Sequence, residues 1–265
     1  MKKAIKLTEN YLESYSSYFN DIFPFENLKW AFVGGFVRDT LISFLLGKKI
    51  SSPDIDIALI GELPHLEENN EILNINKNTF GGLKVKTKKY GNIDIWNPQK
   101  FFKNREKEID WGNYLMKIDF SINSILFSYP EHKLYLHNDW IKSYKNRQIS
   151  ELYEYSPSPD LQLIRAMALT INLSAKTGLS FHTSKVILDK MSNLLMDYDN
   201  PSFAKILEYT TEKIIIERWP DSVLRGILDL KVSLNKNNTN LIFKKINHYS
   251  DSKIRNSFST SDLIL

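Results

Sequence analysis

The stretch Trp30–Ile60, WAFVGGFVRDTLISFLLGKKISSPDIDIALI, decides how the chain is read. Trp30 to Val33 is a short apolar run that stops at Gly34-Gly35, as a strand does. Val37, Leu41 and Leu45 then recur on one helical face, and Gly47 follows as a C-terminal cap. The prediction is a strand feeding a helix through a Gly-Gly turn. Two glycines let the backbone come close to a ligand. A helix start aims free N–H groups and a partial positive charge at the same point, a setting suited to phosphate. A second strand follows and carries Asp54 and Asp56. Strand alternation puts their side chains on one face with Cα atoms roughly 6.5–7 Å apart. Carboxylates so placed can grip divalent cations, which lie ~3.5–4 Å apart in two-metal phosphoryl-transfer sites.

Working outward, residues 8 to 23 set Tyr11, Leu12, Tyr15, Phe19 and Phe23 at helical spacing, with Thr8 as the N-cap and Pro24 as the stop. This stripe is expected to pack into the core; base stacking is the alternative use of such aromatics. Residues 61 to 80 are polar, rich in Asn and Glu, and read as a loop. Residues 83 to 96 read as a hairpin turning at Gly91-Asn92. Its lysines Lys84, Lys86, Lys88 and Lys89 either solvate an exposed strand or meet a nucleic-acid backbone. Asp94 stands between Ile93 and Ile95 on the return strand, where desolvation demands a partner such as a metal or an arginine. From residue 158 the chain turns helical. Ser158, Pro159 and Asp160 form a start signal and Gly178 a stop, and further helices are expected at 183–197, 201–217, 221–234 and 241–248.

Gly34, Gly35, Val37, Arg38, Asp39, Leu46, Gly47, Asp54 and Asp56, in this order and spacing, resemble the opening motif of the class II tRNA nucleotidyltransferase (CCA-adding) and poly(A) polymerase head family, within the polymerase-β-like nucleotidyltransferases. The family's third acidic residue lies on the strand after its Asp-x-Asp, which points to Asp94. Lys117 to Leu126, KIDFSINSIL, resembles the family's Arg-Arg-Asp-Phe-Thr-Ile-Asn-Ala, with Asp119 and Asn123 matching and Lys117-Ile118 replacing the arginines. One lysine cannot make the bidentate fork of an arginine on phosphate. The segment around Arg165-Ala166 resembles the start of the family's neck, but Ser158, Pro159 and Gln162 stand where Glu, Asp and Arg are expected. That change leaves the choice of nucleotide open.

The resemblance implies an α+β fold. A polymerase-β-like head, a mixed β-sheet with helices, is followed by an all-helical neck and body. The domains are then 1–29, an N-terminal helical extension; 30–150, the nucleotidyltransferase head; and 151–265, a helical neck and short body. It also implies a metal-dependent, template-independent transfer of NMP from an NTP to an acceptor hydroxyl, the 3′ end of a tRNA-like RNA. Asp54, Asp56 and Asp94 would be catalytic and hold two Mg2+ ions. Gly34, Gly35, Arg38, Asp39, Asp119, Asn123 and Arg165 would contact the nucleotide; for Arg38 and Asp39 a structural ion pair is an equal alternative. The RNA would be met by Lys84, Lys86, Lys88, Lys89 and basic residues of the helical region. Two other readings stay open, a nucleotidyltransferase that modifies a protein, small molecule or nucleotide, as toxin or defence enzymes do, and a non-catalytic nucleotide- or RNA-binding module.

Composition agrees with this without selecting it. The chain has 265 residues, 42% hydrophobic and 25% charged, ordinary for a globular protein, and its net charge of +4 permits a polyanionic partner. With no cysteine there are no disulfides or thiolate metal sites. No run reaches membrane-spanning length and the polar start lacks a signal core, so a cytoplasmic protein is expected.

Overall fold

A computed structural model describes residues 1–190 except 24, 26–27, 53, 69, 78–80, 102–109, 130, 153–158 and 188. In chain order the elements are α1 (Lys2–Ile22), β1 (Lys29–Val33), α2 (Gly34–Leu46), β2 (Ile55–Ile60), β3 (Ile72–Lys77), β4 (Leu83–Thr87), β5 (Gly91–Trp96), α3 (Pro98–Phe101) and α4 (Trp111–Met116). A 3₁₀ turn (Ser121–Asn123) leads to β6 (Ile125–Tyr129), β7 (Lys133–Leu136), α5 (Asn138–Asn146), β8 (Gln148–Ile149), α6 (Pro159–Thr177) and β9 (His182–Thr183). The fold is α+β. Seven strands form one mixed sheet in the order β3-β4-β5-β2-β1-β6-β7. Every pairing in it is antiparallel except β2 with β5.

β1 sits between β2 and β6, and four of its five residues are buried because both faces of the sheet are covered. On one face Trp30 and Phe32 meet the helical layer, with Phe32 5.1 Å from Phe19 of α1 and 5.4 Å from Phe36 of α2, centroid to centroid. On the other, Ala31 and Val33 join Ala58, Leu126 and the α4 residues Trp111, Tyr114 and Leu115 in a core cluster. Ala31 and Ala58 are paired in register. Two methyl side chains there leave the volume that an indole and a phenol ring fill.

Several expectations are corrected. α1 begins at Lys2, and Thr8, instead of capping it, is a buried interior residue whose hydroxyl donates to Ala4 O at 2.8 Å. The residues before Thr8 contain no helix breaker, so nothing stops the helix from extending back. Its buried spine is Ala4, Thr8, Leu12, Ser16 and Phe19, which leaves Tyr11 40% exposed instead of in the core. The polar stretch after Ile60 contains β3, which pairs with β4 and is exposed along most of its length. An edge strand with one buried residue at Ile72 carries too little apolar alternation to be read as one. The hairpin turns at Lys88–Tyr90, and Gly91, with φ 72, opens β5 instead of closing the turn. Residues 117–126 run through the 3₁₀ turn into β6.

Residues 147–150 and the described residues from Pro159 onward belong to a second unit. Its described part holds α6, which ends where Gly178 takes φ 73 and donates to Ser174 O, as expected, and the two-residue parallel pair β8 and β9. Thr183 lies in β9, and the helix expected over 183–197 is described at 185–187 and 189–190. Ser158 and the helices expected at 201–217, 221–234 and 241–248 lie outside the described residues.

Candidate active site

Gly34 is both the end of the turn after β1 and the first residue of α2, so the free N–H groups of the helix start lie directly at the strand end. It adopts φ 63, a conformation that L side chains rarely take, and a Cβ built on it would lie 3.6 Å from Asp56 Oδ2. Gly35 is close-packed too: its Cβ would lie 3.5 Å from Arg38 Nη2 and 3.5 Å from Ser52 Oγ. The start of α2 at Gly34 therefore lies beside the Asp56 carboxylate. Gly47 closes α2 with φ 62, the left-handed cap expected of it.

Asp56 stands opposite Val33 across β1–β2 and opposite Asp94 across the parallel β2–β5 pair. Residues in register share a face, so Asp56 and Asp94 project side by side from the face that holds Ala31, Ala58 and Tyr114. The parallel pairing explains why residues almost forty apart in sequence meet. Asp54 precedes β2 instead of lying in it, and Ser52 Oγ donates to its carbonyl at 3.1 Å. Burial pushes the Asp94 carboxyl upward; Lys84, in register with it on β4, pulls it down, and the charge of Asp54 pushes it up again. Asp54 and Asp94 thus repel each other across the site.

Behind these carboxylates the Tyr114 phenol is fully buried, and burial followed by the charges of Asp56 and Asp119 holds its ionisation well above the usual range. Arg38 and Asp39 are 6% and 1% exposed. The guanidinium donates from Nε to Asp39 Oδ1 at 2.7 Å, contacts the same oxygen from Nη2 at 2.7 Å, and donates from Nη1 to Asn123 Oδ1 at 2.5 Å. Arg38 therefore braces the start of α2 against the 3₁₀ turn, which is the structural alternative weighed from sequence. Asp119 Oδ1 accepts from the Phe120 N–H at 2.9 Å and so shapes the entry to that turn.

The lysines do not act as one cluster. Lys84 and Lys86 are exposed on the Asp94 face of the sheet, whereas Lys89 in the turn lies over the Tyr18 ring at 4.4 Å and the Tyr90 ring at 5.0 Å. Arg165 is exposed on α6 in the second unit, and Gln162 there is buried. Sequence reasoning missed Tyr114 and Ser52. Neither has a local signal, because each reaches the site only through the packing of α4 and of the 47–52 loop.

Among the described residues no group of three or more Asp, Glu, His or Cys side chains is close enough to hold a metal ion. The donor chemistry nevertheless fits a hard divalent cation: the groups brought together are carboxylate oxygens, and the mutual repulsion of Asp54 and Asp94 is what such a cation relieves. No described helix is long and apolar enough to cross a membrane.

A mixed sheet with a Gly-Gly helix start at one central strand, and with Asp56 and Asp94 on the next two strands, frames the candidate site. Among solved structures the chain is similar to a CCA-adding enzyme in complex with CTP, at 20% identity and a TM-score of 0.50 over 78% of this chain and 48% of that one. It is also similar to the Thermotoga maritima CCA-adding enzyme complexed with tRNA, at 20% identity, a TM-score of 0.49 and coverage of 78% and 47%. A tRNA nucleotidyltransferase complexed with a primer tRNA and an ATP analogue gives 20%, 0.45, and coverage of 77% and 66%. No family model matches the chain, and neither does any curated protein. The chain spans about half to two thirds of the length of these structures. Its fold is similar to that of the CCA-adding enzyme solved with CTP, at low sequence identity.

Proposed function

We propose that the chain is a metal-dependent, template-independent nucleotidyltransferase that moves NMP from an NTP to an acceptor hydroxyl, the 3′ end of a tRNA-like RNA, with release of pyrophosphate. The observation that carries this reading is the in-register pair Asp56 and Asp94 on the one parallel strand pair of the seven-stranded sheet, with Gly34 placed so that a Cβ built on it would lie 3.6 Å from Asp56 Oδ2.

Asp54, Asp56 and Asp94 would hold Mg2+, which when bound neutralises phosphate charge and makes the attacking hydroxyl more acidic. The chain's own groups do the rest. Gly34 and Gly35 admit the triphosphate to the α2 N–H groups, where a side chain would hold it off. Arg38, through Asp39 and Asn123, fixes that helix start to the turn bearing Asp119, so that phosphate and sugar contacts keep one geometry. Lys84 opposes the upward shift of Asp94 and favours its ionised, ligating form. Lys84 and Lys86 lie on the same face of the sheet as Asp94, a placement that suits an acceptor whose phosphates approach over β4. Arg165 is assigned to the nucleotide on the resemblance of its neck segment. A similar fold is solved with CTP, which supports an NTP as donor.

A second reading keeps the chemistry and moves the acceptor to a protein side chain, a small molecule or another nucleotide. It is favoured by the burial of Gln162, which withdraws it from base reading. Incubation with each α-labelled NTP, Mg2+, total RNA and a protein mixture separates them: label on RNA supports the first reading, and label on protein or a small product supports the second. No label on any acceptor overturns both.

A further inference from the structure

A groove of about 910 Å³ is lined by residues 1–15, by α2 and by residues 47–52. Small-molecule sites range over about 300–1,000 Å³, so this one is at the large end. Its lining combines the aromatic residues Tyr11, Tyr15 and Phe44 with Lys3, Lys48 and Lys49, and none of its described lining residues is acidic. Tyr11 and Tyr15 stand one helical turn apart with centroids 5.0 Å apart and their hydroxyls hydrogen-bonded at 2.8 Å, while Phe44 meets Tyr11 edge-on at 6.0 Å. Tyr11 is 40% exposed. A stripe built only for the core would not leave it so. The lysines occupy both walls, Lys3 on α1 and Lys48 and Lys49 after the α2 cap. Ser52, whose hydroxyl donates to the Asp54 carbonyl, also lines the groove.

We infer that this groove takes an unpaired nucleic-acid strand, with bases stacked on Tyr11 and Phe44 and phosphates on Lys48, Lys49 and Lys3. Stacking platforms interleaved with cations are what a single strand uses without sequence preference. Lysines on both walls suit a run of phosphates more than a single phosphate group. Binding in this groove goes beyond the transferase reading, because α1 and α2 cover the sheet face opposite the one that bears Asp56 and Asp94. Strand binding itself needs no chemistry, so the two fail separately.

The test is fluorescence anisotropy of a fluorescein-labelled decauridylate with the full chain carrying Asp54→Asn and Asp56→Asn, so that no transfer occurs. Adding Lys48→Glu and Lys49→Glu is expected to weaken binding at least tenfold. Lys48→Ala with Lys49→Ala should lower the slope of log affinity against log salt by about 1.4, since each lost single-strand phosphate contact removes about 0.7. Tyr11→Ala should weaken binding severalfold at an unchanged salt slope. Far-ultraviolet circular dichroism equal to the parent's establishes that the variants fold. Unchanged affinity in the Lys48/Lys49 and Tyr11 variants overturns the inference. So does displacement of the labelled strand by AMP at the concentration at which unlabelled decauridylate displaces it, because the groove would then be a mononucleotide site.

Discussion

Replacing Arg38 by Met tests the brace that holds the candidate site together. Three N–H groups of the guanidinium point at Asp39 Oδ1 and Asn123 Oδ1, and both members of the ion pair are buried, with side chains 8% and 1% exposed. Removing one partner of such a buried pair costs about 3–5 kcal/mol. At a urea dependence of about 2 kcal/mol per molar, the unfolding midpoint should fall by about 1.5–2.5 M. Tryptophan fluorescence is the suitable probe, because Trp30, Trp96, Trp111 and Trp140 all lie in the unit that contains the brace. Asp39→Asn alone should be destabilising as well. The double variant Arg38→Met/Asp39→Asn should be less destabilised than the sum of the two by about 1–3 kcal/mol, the coupling of residues in direct contact. A loss below about 1 kcal/mol for Arg38→Met, or strict additivity in the cycle, would refute the reasoning and return Arg38 to a role on the ligand.

Asp56→Asn should lower transfer by more than about a hundredfold, since even groups one step removed from a metal cost 10–100-fold, while its thermal unfolding stays close to wild type. Gly34→Ala forces an L side chain to φ 63 and should cost about 1–2 kcal/mol, a Tm lower by roughly 2–8 °C in calorimetry. It should also weaken NTP binding, because the new methyl occupies the approach beside Asp56. Asp94→Asn should raise stability at pH 7 in the absence of divalent cation. Its carboxyl is shifted up in the folded state, mainly by burial, so the native protein binds the extra proton, and stability falls as pH rises from the unfolded value of about 3.9 through the folded one. The gain should therefore vanish below about pH 4. Lys84→Ala removes the charge that lowers the Asp94 carboxyl and should move the acid limb of the transfer pH profile upward.

The centre of the fold could be read from the residues because its signals are local. An apolar run broken by two glycines, an apolar helical face and a left-handed cap at Gly47 together dictate strand, helix and stop. Asp94 could be anticipated because a carboxylate between two buried isoleucines needs a reason. What escaped reading depends on partners. β3 exists because β4 offers it a ladder, and its own exposed side chains do not announce a strand. The internal place of Arg38 follows from the meeting of α2 with a turn 85 residues away, which no spacing within Trp30–Ile60 encodes. The aromatic stripe of α1 was expected to be core, and half of it is; Tyr11 lies on the groove because the buried spine follows residues 4, 8, 12, 16 and 19.

The most direct test of the central claim is positional labelling of the donor. With Mg2+, RNA and an NTP labelled at either the α or the γ phosphate, the account predicts α label joined to the RNA 3′ end and γ label in pyrophosphate, both abolished by Asp54→Ala/Asp56→Ala. Transfer of the γ label to the acceptor, or α-label incorporation that persists in that variant, would contradict it.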